Sequence, residues 1–436
     1  MKVLMFGWEF PPHISGGLGT ASYGLSRALL KTGMEILFVV PKAYGDEEPG
    51  NIRLVNASQV AVNATDEAFK DHWDQISFLE VDSALMPYAT EEDYIMISEQ
   101  FRPGSQPEKP ERNTHTYTFF GGYGKNLWEE VQRYALVASQ IANQHDFDII
   151  HAHDWLTYPA GIEAKRISGS PLVVHIHATE FDRSGAQVNQ RIFDTEKNGM
   201  ETADMVIAVS NRTRNTVINR YGIDPAKVVT IHNGVEAIGN GKPLRVKKHV
   251  KEKIVTFLGR VTYQKGPEYF IEAAYKVLQK DPDVRFVMAG SGDLLSKMIR
   301  RVAALGIATR FHFTGFLKNE EVEQLFGMSD VYVMPSVSEP FGISPLEAMR
   351  SNVPVIISRQ SGVAEVINHA VKVDYWDIDA LADAIHALIH YPSLQNTSVG
   401  FGKEEVNNIR WDDAGIKVRE VYEQLVHKLL SNKTGR

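Results

Sequence analysis

Apolar residues in this chain fall into short unbroken runs, separated by longer stretches with a helical repeat. The runs "KVLMFG" (2–7), "EILFVV" (35–40), "FDIIHAH" (147–153), "LVVHIHA" (172–178) and "MVIAVS" (205–210) are rich in Val and Ile. Runs that stay apolar instead of alternating predict strands buried on both faces, as in a parallel sheet covered by helices. A helix is predicted over Ala21–Thr32, between the first two runs. The alternation stops from Glu236 to Lys253, where Gly, Asn and Lys gather around Pro243 and the text reads as a linker. It resumes with "KIVTFLG" (253–259), a helix over Tyr269–Gln279, "VRFVMAG" (284–290) and a helix from Asp293 to Leu305. "FHFTG" (311–315), a helix near Glu320–Met328, "VYVMPS" (331–336) and "PVIIS" (354–358) follow, and Asp412–Leu430 carries a last amphipathic helical pattern.

Two similar halves joined by a linker predict an α/β protein made of two Rossmann-like, doubly wound domains facing each other across a cleft. The boundaries are an N-terminal domain over residues 1–236, a linker over 237–253, a C-terminal domain over 254–410, and a helix over 411–436 expected to pack back toward the N-terminal domain. Ligands of such sheets bind beyond the carboxyl ends of the strands, so candidate chemistry is sought there. Met86–Lys125 fits the alternation poorly and is expected to be an insertion at the cleft mouth.

With 436 residues, 43% hydrophobic and 23% charged, the chain is globular in composition. Its net charge of -8 argues against nucleic acid or an anionic membrane as the main partner. The local basic run "RVKKHVKEK" (245–253) reads as solvated linker. Without cysteine there is no disulfide framework, thiolate nucleophile or thiolate metal ligand. Gly7, Pro11 and Pro12 break the first apolar run too early for a signal-peptide core. No apolar segment approaches the ~20 residues of a membrane-spanning helix, so a cytoplasmic protein with no transmembrane segment is expected.

Four stretches carry candidate chemistry. "PPHISGGLGT" (11–20) follows the first strand and opens the first helix, where Gly16, Gly17 and Gly19 let a ligand approach the backbone. It differs from the dinucleotide pattern G-x-G-x-x-G, which argues against a dehydrogenase. "FLGRVTYQKG" (257–266) puts Arg260 and Lys265 on a strand-to-helix loop, an arrangement suited to a diphosphate. "IIHAHDWLT" and "VVHIHATEFDRSG" supply His151, His153 and Asp154, then His175, His177, Glu180 and Asp182. Each His pair shares a strand face, as metal ligands can; neither pair has the helical spacing of a zinc protease, and no metal is expected. "SVSEPFGISPLE" (336–347) places Glu339 on a loop and Glu347 in the first turn of a helix begun near Pro345. Carboxylates there can accept hydrogen bonds from sugar or ribose hydroxyls, and free N–H groups beside them can bind oxygen or phosphate.

Taken in order, "GGLGT", "HAHDW", "HAT", "HNGV", "GRVTYQKG" and the two glutamates separated by seven residues resemble the retaining glycosyltransferases of the GT-B fold, families 4 and 5, which include glycogen and starch synthases. The resemblance covers nearly the whole chain. It implies a UDP- or ADP-sugar held mainly by the C-terminal domain, with no further cofactor required. Arg260 and Lys265 match the pair that neutralises the diphosphate, and the loop at Gly16 and Gly17 closes on it from the other domain. Glu347 matches the carboxylate on the ribose, while Glu339 and the N–H groups of Phe341, Gly342 and Ile343 match the grip on the transferred sugar. His177 matches the histidine beside the reacting carbon, Asp154 resembles the acid near the sugar, and Asn233 and Gly234 resemble a hinge and cleft motif.

Bacterial glycogen and starch synthases carry Lys in a K-x-G-G motif where this chain has Ile14, with His13 beside it. That departure moves the chain toward family 4 or its glycogen-synthase-like members, while "HIHATEFDRSG" pulls back toward an α-glucan product. The resemblance therefore implies metal-independent transfer of a hexose, glucose foremost, to an α-glucan or oligosaccharide. The alternatives are a family 4 enzyme using a lipid-linked or small sugar phosphate acceptor, and a non-catalytic sugar-nucleotide-binding protein. The partners are the donor and a carbohydrate acceptor, with homo-oligomerisation left open.

Overall fold

The computed structural model describes residues 1–14, 16–63, 114–117, 119–121, 124, 126–236, 248 and 250–434. The five apolar runs of the first half become β1 (Lys2–Phe6), β2 (Glu35–Val40), β6 (Ile149–His153), β7 (Leu172–Ile176) and β8 (Met205–Ala208). They join β3 (Arg53–Asn56) and β9 (Val228–Thr230) in a seven-stranded parallel sheet of order β3-β2-β1-β6-β7-β8-β9. The intervening β4 (Ala61–Asn63) and β5 (Thr114–Thr116) form a separate antiparallel pair.

The second half repeats the scheme with β10 (Lys253–Leu258), β11 (Val284–Ala289), β12 (Phe311–Gly315), β13 (Val331–Met334), β14 (Val355–Ser358) and β15 (Val371–Val373). Their order is β12-β11-β10-β13-β14-β15, again parallel. Both sheets reverse direction of winding at one place, between β1 and β6 and between β10 and β13. A doubly wound sheet opens a crevice at that reversal, just past the strand ends. The loops there begin at Gly7, Asp154, Gly259 and Pro335, so topology alone brings together the glycine loop, the "HDW" stretch, the Arg260–Lys265 loop and the glutamate loop.

Apolar clusters cover both faces of each sheet. The helices that flank the sheets are α1 (Gly17–Lys31), α2 (Leu127–Gln144), α3 (Tyr158–Ser168), α4 (Glu180–Ser184), α5 (Gln190–Thr202) and α6 (Asn211–Tyr221) in the first half. In the second half they are α7 (Pro267–Lys280), α8 (Leu295–Ala304), α9 (Asn319–Met328) and α10 (Ser344–Arg350), then α11 (Ile378–His390), α12 (Pro392–Val406) and α13 (Trp411–Thr434). The last of these leaves the second domain and lies against α1, where Trp411, Val418 and Tyr422 enter the same core as Leu25 and Leu29. The chain thus crosses between domains twice. The crossings run side by side, Val235 N–H donating to the Ile409 carbonyl at 3.0 Å.

Of the segment expected to be an insertion, residues 86–113 lie outside the described residues, as do 237–247 of the linker. Where the insertion rejoins the fold, the buried Glu130 accepts the N–H groups of Phe120 and Gly121 at 3.0 and 3.2 Å. Among the described residues, no helix is long and apolar enough to cross a membrane.

Candidate active site

On the C-terminal side, two loops interlock. The N–H groups of Val337 and Ser338 donate to the Gln264 carbonyl, tying the loop after β13 to the loop after β10. This register brings Lys265 Nζ to 2.6 Å from Glu339 Oε2, which also accepts the Ser336 hydroxyl at 3.2 Å. Arg260 sits half-buried on the same loop and reaches Gln264 Oε1 at 3.3 Å. Gly342 holds φ at 101°, a conformation that favours glycine, and a Cβ there would press on Glu339 and Met334. The turn leaves the N–H groups of Phe341, Gly342 and Ile343 without an acceptor among the described residues. Glu347 follows in the first turn of α10 with no hydrogen-bond donor to its carboxylate among the described residues. Burial pushes its carboxyl up from the ordinary range, against the pull of Arg350. The loop therefore presents a cation pair, three spare amide donors and a free carboxylate along one short path.

The N-terminal side is built differently. Asp154, just past β6, has φ at 59° and is buried. Its Oδ1 accepts the N–H groups of His177 and Ala178 at 2.7 and 3.4 Å. Asp154 thus braces the "HAT" backbone, whereas the sequence placed it at the sugar. Burial raises its carboxyl to about 6, against the lowering effect of Arg183. His177 stacks on His175, and its Nε2 meets His153 Nδ1 at 2.9 Å. Burial pushes it down to about 3, so the ring is neutral at physiological pH.

Gly16 and Gly17 at the start of α1 are exposed, and a Cβ on either would meet open space. At Gly19, in contrast, a Cβ would lie 2.4 Å from Ile14 Cγ2. Of the three, only Gly19 is required by contacts within the fold. Ile343 packs against the core that holds Ala21 and Leu25, which sets the glutamate loop beside α1. Asn233 is buried, and a Cβ on Gly234 would strike the Trp411 nitrogen at 2.2 Å, which places this pair at the double crossing.

Several participants had no clear sequence signal. Ser338 donates to Asp182 Oδ1 at 2.5 Å across the cleft, and Arg212 reaches the same hydroxyl. Glu365, from the second domain, accepts the N–H groups of Asn211 and Arg212 that start α6, and meets His232 at 2.9 Å. Burial acts to raise its carboxyl, but the hydrogen bonds from His232, Asn211 and Arg212 outweigh it and the net direction is down. Behind α4, Glu196 binds Arg183 and the Tyr221 hydroxyl and accepts the Glu180 N–H at 3.1 Å. Burial raises the Glu196 carboxyl to about 7, against the lowering effect of Arg183. Only a polar group two helices away in sequence completes that network, which is why no local pattern disclosed it.

Two doubly wound domains whose reversal points face each other across a cleft lined in this way define an α/β protein of the GT-B architecture. Residues 97–237 match the family described as Glycosyltransferase Family 4, and residues 243–404 match Glycosyl transferases group 1. The chain belongs to the GT-B glycosyltransferases of the family 4/5 type. It is 29% identical to an uncharacterized glycosyltransferase of Methanocaldococcus jannaschii, covering 97% of this chain and 98% of the relative. It is 23% identical to the glycogen synthase of Mycobacterium tuberculosis, over 97% of this chain and 94% of that one. Among solved structures, Anabaena HepE in complex with UDP-glucose shares the fold, with a TM-score of 0.63, 19% identity and coverage of 99% and 100% of the two chains.

Proposed function

We propose that this glycosyltransferase is a retaining, metal-independent glucosyltransferase that uses UDP- or ADP-glucose and extends an α-glucan or oligosaccharide. The observation that carries the reading is the loop pair on the C-terminal side: Arg260 and Lys265 beside three unpaired amide donors and the unpaired Glu347 carboxylate. Cleaving a sugar from a diphosphate builds negative charge on the departing oxygen. Fixed cations aimed at that oxygen lower the barrier without a metal ion. Lys265 turns from Glu339 to the diphosphate when donor enters, which releases the Glu339 carboxylate and leaves it free for the sugar hydroxyls. Glu347 accepts from the ribose, and the N–H groups of Phe341, Gly342 and Ile343 hold donor oxygens.

Retention follows if the acceptor hydroxyl attacks the same face that the diphosphate leaves, with a leaving-group oxygen taking its proton. Glu339 and Glu347 serve different parts of the donor, so neither is placed as a hydrolase acid or base. The UDP-glucose complex of HepE supports a glucosyl nucleotide as donor, and the glycogen synthase relative supports a glucan as acceptor.

The test is a panel of UDP-, ADP- and GDP-sugars against glycogen, maltooligosaccharides and sugar phosphates, read by nucleotide release and by digestion of the product with an α-glucosidase. The expected result is release of UDP or ADP that depends on the glucan and is indifferent to added Mg2+ or Mn2+. Release stimulated by a sugar phosphate alone would replace the glucan with a small acceptor. No turnover with any pair would leave a binding protein.

A further inference from the structure

Four histidines form a two-by-two array on one face of the N-terminal sheet. His151 and His153 alternate on β6, His175 on β7 is followed two residues later by His177, and strand register sets His153 opposite His175. The rings lie nearly face to face: 4.4 Å and 20° for His151 and His153, 4.3 Å and 21° for His175 and His177. His151, His153 and His175 are 0%, 0% and 2% exposed, so water does not serve them from outside.

Their hydrogen bonding is incomplete. His153 Nδ1 meets His177 Nε2, and His151 Nδ1 meets the Tyr422 hydroxyl. His151 Nε2, His153 Nε2 and both ring nitrogens of His175 have no protein partner among the described residues. His177 Nδ1 is likewise unpartnered; buried polar atoms are nearly always satisfied, and five orphans in one cluster call for an occupant. One nitrogen from each of His151, His153 and His175 lies within 4.8 Å of the other two. Burial lowers all three rings well below their ordinary range, which keeps their lone pairs free at physiological pH.

We propose that His151, His153 and His175 hold a divalent transition metal of the zinc class inside the N-terminal domain, with a structural role apart from the transfer step. Imidazole nitrogen suits Zn2+, Ni2+ and Cu2+, whereas Mg2+ and Ca2+ demand oxygen. Metal–nitrogen bonds of about 2.0–2.1 Å draw tetrahedral ligand atoms to roughly 3.3 Å apart, so the three rings, which lie within 20° to 34° of parallel, must turn well out of their stack for their in-plane lone pairs to converge on the ion.

The site has two consequences. Tyr422, on α13, already touches His151, so the ion fastens the sheet to the helix that returns from the second domain. With Nε2 of His153 on the metal, its Nδ1 carries the proton and donates to His177 Nε2. That fixes the tautomer of the histidine nearest the donor, as outer partners of metal ligands commonly do. The exposed group His13, Asp46 and Glu47 is the competing cluster for any added ion.

The full-length protein, stripped with a strong chelator under mild denaturant and refolded, is titrated with Zn2+ and with Co2+. The expected result is about one Zn2+ per chain, a raised melting temperature, and a tetrahedral Co2+ visible spectrum. All three are retained in His13→Ala and lost in His151→Gln and His175→Gln. Absence of stoichiometric binding by the parent chain overturns the proposal, as does binding that survives both buried substitutions. If those variants fail to fold, X-ray absorption of the zinc-loaded parent protein decides. A shell of three imidazoles supports the site, and an oxygen-dominated shell, as the exposed cluster would give, sinks it.

Discussion

The two walls of the cleft solve different problems. The C-terminal wall is ionic: Lys265 pairs with Glu339, Arg260 lies beside it, and backbone amides point into the gap. The N-terminal wall is neutral where it matters, with imidazoles held uncharged by burial and the Asp154 carboxylate turned onto backbone N–H groups. A leaving diphosphate needs charge that is already in place, whereas a sugar ring needs a stiff surface of fixed shape. Under the proposed function the first is assembled inside one domain and the second inside the other. Their meeting is governed by a few cross-cleft contacts, Asp182 with Ser338 and Glu365 with the start of α6.

The strongest way to break this contrast is Lys265→Ala. Loss of a fixed charge aimed at developing charge costs about 10^2- to 10^3-fold in rate. Transfer should fall by that much, and the melting temperature should fall as well, because Glu339 is buried and keeps only the Ser336 hydroxyl on its carboxylate among the described residues. Assay at a temperature where both proteins are folded separates the two effects. Nucleotide release within twofold of the parent would show that charge on this wall is dispensable.

The glycine loop sharpens the comparison next. Gly19→Ala forces a Cβ into Ile14 and should destabilise by about 1–3 kcal/mol, the usual cost of overpacking. Gly16→Ala and Gly17→Ala should change stability by less than about 0.5 kcal/mol, as open surface positions do. They should nonetheless raise the donor KM several-fold. Thermal melts beside donor titrations separate the two effects, and unaltered donor binding in the latter pair would remove the loop from the site.

On the neutral wall, Asp154→Asn keeps a hydrogen-bond acceptor but loses its charge. About 1.4 kcal/mol, or tenfold in transfer, is the expected loss, since hydrogen bonds to charged groups exceed neutral ones by roughly that amount. In the parent enzyme the same loss should develop as pH falls below about 6, where Asp154 takes up a proton, and the pH profile of the Asn variant should lack that limb.

The smallest effect concerns stability. A histidine whose pKa is depressed by folding binds its proton only in the unfolded chain, so its contribution is present above the unfolded value near 6.5 and is lost as pH falls below it. His151→Phe should therefore flatten the loss of stability below pH ~6.5 by up to about 1.4 kcal/mol per pH unit, one proton's worth. Denaturant melts at pH 7 and pH 5 measure it, and equal slopes for the two proteins would mean that the ring is not held neutral by the fold.

Much of the architecture was legible because it rests on local signals. Unbroken apolar runs marked five strands of the first sheet and five of the second, and strand-then-glycine punctuation marked the loops at the reversal points. β9 and β15, three residues each, were too short to show a period. The site was legible where one loop carries it: Arg260 with Lys265, and Glu339 with Glu347, are short-range pairs. It was hidden where it depends on register or on distant chain. Nothing in "HAHDW" or "HIHAT" tells that His153 will face His175, or that Tyr422 will arrive some 270 residues later to meet His151. The duty of Asp154 was obscured for the same reason, because its two N–H partners lie on the neighbouring strand's loop.

The return of α13 to α1 also sets an order in time. Trp411, Val418 and Tyr422 complete the core beneath the first sheet, yet they are translated only after the strands of the second domain. Residues 253–406 can close around β10–β15 as they emerge, while the earlier-made domain keeps an open apolar seam until α13 arrives to cover it. Domains usually mature in the order in which they are made. Here the earlier-made of the two domains is the later to be finished, because part of its core is borrowed from chain that lies beyond its partner.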